Sequence, residues 1–165
     1  MDGCQKTIQQ FLNRDLEHWN GLADECQESQ LETWLAFNPG QGITLRGAER
    51  VPYRFRSLVQ PGFKEGVFFY FEEDRLSFMA TEFWSFDAGE CAELMKRLGE
   101  PSHRLDFHWQ NIEFEDAELV YAERGISLGV IPETQVIAFV MVFPPCSLDV
   151  YVAKYQHTTP VREFE

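Results

Sequence analysis

Four acidic side chains, Glu113, Glu115, Asp116 and Glu118, crowd into the single stretch NIEFEDAE. Carboxylates this close together are the raw material of general acid–base catalysis, provided that one of them sits in an apolar setting that raises its pKa. In a chain with 27 acidic residues abundance alone says little, and a run of this kind is expected to be a solvated loop or a docking patch. The docking reading has content because Trp109, Ile112 and Phe114 are interleaved with the acids. Aromatic groups ringed by charge are the usual make-up of a protein-binding hot spot. Trp109, Glu113, Glu115, Asp116 and Glu118 are therefore the primary candidates for contact with a partner, and Glu72, Glu73 and Asp74 the secondary ones.

Other chemistries find less material. Arg46, Arg50, Arg54 and Arg56 fall in a short span holding one acid, Glu49, and Arg46, Arg54 and Arg56 are the candidates for a clamp on a carboxylate or phosphate. The simpler expectation is that they pair across a sheet with Glu or Asp. His18, His103, His108 and His157 lie in four separate contexts, none at helical spacing from another ligand; Asp106 and His108 share a strand face but are expected to be a surface pair. There is no GxSxG, no Lys-Ser/Thr phosphate loop after NPGQG, and Cys91 falls on the apolar stripe of a predicted helix, where a thiol is inert. No catalytic residue, metal site or cofactor is expected. Phe63, Phe68, Phe69, Phe71, Phe78, Phe83 and Phe86 crowd one region, and an apolar ligand cavity among them, guarded by Arg54 and Arg56, is the alternative reading of function.

A formal net charge of −13 argues against nucleic acid and anionic membranes, and favours a basic protein as partner. The N-terminal MDGCQKTIQQF has no basic or apolar leader region, and no later apolar run reaches bilayer length, so a cytoplasmic location is expected. Cys4, Cys26, Cys91 and Cys146 are scattered, without a CxxC pair, and are expected to be reduced structural thiols.

The elements that must position these residues follow from periodicity. Ile8, Phe11, Leu12, Leu16 and Trp19 predict a helix from Thr7 to about Leu22, and ADECQESQLETWLAF predicts a second ending before Asn38-Pro39-Gly40. Two short strands in GITLRGAERVPYRFRSLV precede a hairpin turning at Glu72-Glu73-Asp74, with one polar and one aromatic face. Asp87 with Glu90 forms a capping box, Cys91, Leu94, Met95 and Leu98 make one stripe, and Gly99 and Pro101 end that helix, at about 87–98. RLDFHW, AELVYAE, GISLGVI, QVIAFVMVF and LDVYVAKY then read as strands, separated by gaps too short for crossover helices and hence antiparallel. The eight apolar residues Val136 to Phe143 belong in mid-sheet, covered on both faces.

The helix end LMKRLGEP, followed by a strand, a gap and the YAERGISLGV hairpin running into an apolar strand, resembles the helix-plus-sheet units of β-lactamase-inhibitor-protein-like domains. In size, acidity and layout the chain is also similar to bacterial immunity proteins. The resemblance spans about residues 67 to 155 and implies a non-enzymatic protein that binds another protein; no residue role transfers with it. The expected fold is α+β: one domain over 1–155 with a polar tail at 156–165, an antiparallel sheet of six to eight strands, two N-terminal helices and one inserted helix on one face. The expected function is inhibition of a basic partner by occlusion, with the oligomeric state open.

Overall fold

A computed structural model describes residues 3–23, 25–45, 51–63, 66–82, 87–109 and 112–156. Arg46, Arg50, Phe83, Phe86, His157 and the tail beyond it lie outside the described residues, as do the side chains of His108 and Trp109. The fold is α+β, built on one eight-stranded antiparallel sheet. Its strands are β1 (Gln41–Leu45), β2 (Val51–Leu58), β3 (Val67–Glu72), β4 (Arg75–Glu82), β5 (His103–Trp109), β6 (Ile112–Tyr121), β7 (Ile126–Ile131) and β8 (Val136–Val142), in the spatial order β1-β2-β3-β4-β8-β7-β6-β5. Two four-strand meanders thus meet along β4 and β8, where Met79 faces Val142 and Thr81 faces Val140.

The apolar run of β8 fills the middle of the sheet, as its composition requires. Residues 137–143 have no exposed surface. Ile137, Val140 and Val142 join one core; Ala138, Phe139, Met141 and Phe143 join the other. The first core lies under α1 (Gly3–Leu12), α2 (Glu28–Leu31) and α3 (Ala88–Leu98), through Ile8, Phe11, Leu31, Cys91, Leu94 and Leu98. Asp87 and Glu90 close the predicted capping box on α3, and Gly99 takes φ 77° just past its end.

The second face is covered not by the expected strand but by a helical element. LDVYVAKY is helical: α4 (Leu148–Val150) runs into a π-helical turn, Tyr151–Tyr155, with Ser147 as its N-cap. Tyr151 and Tyr155 turn inward while Ala153 between them stays exposed, which helical spacing gives and a two-residue alternation does not. Because both faces of the sheet are covered, the β3–β4 hairpin has no polar face: Phe69 and Phe71 enter the first core, Tyr70 and Phe78 the second.

The N-terminal helices are shorter than their patterns suggested. α1 stops at Leu12, where Arg14 adopts φ 63° and reverses the chain. Leu16, Trp19 and Leu22 still reach the core, now from an irregular segment whose carbonyls at Leu16 and Glu17 accept from Arg124 at 3.0 and 2.6 Å. α2 is a single turn. Cys4 and Cys26 are joined in a disulfide that ties α1 to the chain before α2, correcting the expectation that all four cysteines are reduced thiols; Cys91 and Cys146 form no disulfide. Widely spaced cysteines give no spacing signal for such a bond, which is made by the reversal at Arg14.

Candidate functional site

The acidic stretch of β6 divides according to which way each residue faces. Glu118 pairs with Gly129 of β7, whereas residues 112–114 of β6 pair only with β5, so the two strands run on past β7 as an arm. Phe107 and Phe114 stack inside it at 5.3 Å and hold its two strands together. A bulge between Leu105 and Phe107 puts Asp116 at φ 52°, with its N–H donated to Asp106 Oδ1 at 2.9 Å. Glu113, Glu115 and Asp116 are exposed, and Ile112 at the arm's end is 55% exposed. Glu115 and Asp116 also border a cleft of about 640 Å³ between α3 and the sheet, with Lys96 and Arg104 on its rim and Leu119 and Val130 on its floor.

Glu118 is the exception: it has no exposed surface and belongs to no outer patch. Beyond the bulge the strand alternates, so Glu118 points with Val120 and Ala122 into the second core. There it accepts a hydrogen bond from the Tyr151 hydroxyl, with Gln156 bonding to the same carboxyl. Ser127, also buried, lies against Tyr151 from β7. Burial pushes the Glu118 carboxyl up to about 7, against the pull of those two hydrogen bonds. The same burial, next to the Glu118 carboxyl, drives the Tyr151 phenol well above its ordinary range. Tyr151, Ser127 and Gln156 were not singled out from the sequence. The available signal was the i, i+2, i+4 register of Glu118 with Val120 and Ala122, which puts an acid on an apolar face.

The secondary acidic group sits at the β3–β4 turn. Asp74 accepts from the Ser29 N–H at 3.3 Å and the Ser29 hydroxyl at 3.2 Å, fixing α2 to the turn. Glu72 lies 3.9 Å from Lys154. Glu72 and Glu73 line a cleft of about 490 Å³ that also holds Cys146 and Tyr155. This cleft lies far along the sheet from the arm, so the two acidic groups form no single patch: β3 and β6 are separated by β4, β8 and β7.

Arg54 and Arg56 find their acids on α2 rather than across the sheet. Arg54 Nε donates to Glu28 Oε1 at 2.6 Å, and Arg56 Nη1 to the same oxygen at 2.8 Å and also to Glu32. Arg56 Nε caps the Asn38 carbonyl at 3.0 Å, and its guanidinium lies 4.9 Å over the Phe37 ring. An incoming anion would compete with Glu28 and Glu32 for the same donors. Of the Phe-rich region, Phe63, Phe69 and Phe71 pack in the first core and Phe78 in the second, with Phe68 beside it. Among the described residues no group of three His, Cys, Asp or Glu could hold a metal ion, and no helix is long and apolar enough to cross a membrane. Compared with known proteins, the chain matches no family model, no curated protein and no solved structure.

Proposed function

We propose that this chain is a non-enzymatic binding protein of the immunity or inhibitor kind, which occludes a basic protein partner with the acidic end of the β5–β6 arm. The observation that carries this reading is the arm itself: Ile112, a large apolar side chain, is more than half exposed beside the exposed carboxylates of Glu113, Glu115 and Asp116. An apolar anchor within a charged rim combines slow release with steered encounter. The net charge of −13 adds a long-range attraction for a cationic surface. Stacking of Phe107 on Phe114 stiffens the arm before any partner arrives, which lowers the ordering penalty on binding.

The test uses the purified chain as bait for basic proteins of its source cell, with the captured protein then titrated. Raising salt from about 50 to about 300 mM should weaken that complex by roughly tenfold or more, because the attraction is between exposed charges. The triple variant E113K/E115K/D116K should abolish it. A partner that binds the triple variant as well as it binds the wild type would exclude the arm as the binding surface.

A further inference from the structure

Glu118 is the one carboxyl among the described residues with no exposed surface, and the proposed binding surface makes no use of it. Its site is an interface between two elements: strand β6 supplies the acid, β7 supplies Ser127, and the C-terminal helical segment supplies Tyr151 and Gln156. The strand neighbours of Glu118 are Leu105 and Gly129, and Phe139 pairs with Gly129 one strand further on. Among the described residues, none of the groups facing the carboxyl is a cation. Lys154, on the same helical segment, turns instead to Glu72 and to the Tyr155 ring. Asp149 is exposed, and Cys146 lies near Tyr151 from the connection to β8.

Among the described residues, a carboxylate here would have a hydroxyl and an amide as donors and no opposite charge. Burial of an ion on such terms is unfavourable unless water is admitted. The helical segment follows β8 through the short connection 143–147 and meets the sheet through the Glu118 hydrogen bonds and through ring contacts. Tyr151 and Tyr155 lie 4.9 and 5.0 Å from the Phe143 ring, and Tyr155 lies 6.2 Å from Phe78.

We infer that the helical segment 148–156 is an acid-closed cover on the second face of the sheet, held shut by neutral Glu118 and loosened when that carboxyl ionises. In the closed state the Tyr151 hydroxyl donates to the carboxyl; in the open state the carboxyl releases its proton to water and is hydrated. The cover shields Phe78, Met141 and Phe143 of the second core, and opening exposes them to water.

The experiment is amide hydrogen exchange of segment 148–156 between pH 5 and pH 8.5, with rates normalised to intrinsic exchange. A carboxyl that titrates near 7 when covered and at its ordinary value when open makes opening more frequent as pH rises between those two values, by up to about tenfold per pH unit, and levels off above them. Protection in the wild type should therefore fall roughly fortyfold from pH 5 to pH 7. In E118Q, whose amide oxygen can still accept from Tyr151, it should not change with pH. Protection independent of pH in the wild type, or the same slope in E118Q, would overturn the inference. Carbon-13 NMR titration of the Glu118 carboxyl in the wild-type protein gives a second reading that needs no variant: a midpoint near 7 supports the cover, and one in the ordinary carboxylate range overturns it.

Discussion

At the scale of single residues, the clearest contrast is between Arg54 and Arg56. Both donate to Glu28, yet the Arg54 side chain is 55% exposed and that of Arg56 only 9%. An exposed pair contributes little because water and salt screen it, whereas removing one partner of a buried pair strands the other. Arg56→Ala should therefore destabilise the fold by about 3 kcal/mol in urea denaturation, the low end for such a loss because Arg54 still reaches Glu28. Arg54→Ala should fall below about 1 kcal/mol. The sequence made these arginines legible as a charge cluster in need of acids but not which acids, since Glu28 and Glu32 are brought to them by a single turn of helix far away in the chain. Glu118 was hidden for a related reason. It stands in a run of five acids from Glu113 to Glu123 that all look alike on paper, and only the bulge at Asp116 decides which of them faces inward.

At the scale of elements, legibility followed how local the cause was. Helix α3 carries its start and stop within its own residues, so the Asp87–Glu90 box and Gly99 appear where the spacing put them. The C-terminal segment departs from the expected strand because V-Y-V-A-K-Y satisfies a two-residue alternation as well as a four-residue one, and its choice is made by the aromatic face it must cover. Helix α1 was overextended because Leu16 and Trp19 are apolar for the core's sake and remain so after the helix has ended. That irregular segment is held by the Cys4–Cys26 bond, which spans 22 positions. Closing a loop of that length in the unfolded chain is worth about 3 kcal/mol. Reduction, or the C4A/C26A variant, should lower stability by about that amount and raise hydrogen exchange in α1, while leaving the β5–β6 arm unchanged.

At the scale of the whole molecule, one buried acid imposes a pH dependence on stability. The folded carboxyl of Glu118 titrates at about 7, above its value of 4.5 in an unstructured chain. Between those two values the folded state holds a proton that the unfolded state has released, so stability is full below about pH 4.5 and falls as pH rises towards 7. The loss is on the order of 3 kcal/mol, given by the rise of that carboxyl from 4.5 to about 7. Denaturation at pH 5 and pH 8 should show a decline in the wild type that is smaller by about this amount in E118Q. The order of the strands bears on how the molecule is made. Since β4 waits for β8 and their partners lie about sixty positions apart, the first meander must leave a translating ribosome with one long flank of bare backbone amides and carbonyls. Chaperone dependence and inclusion-body formation should therefore track how quickly residues 136–142 are delivered to seal that seam.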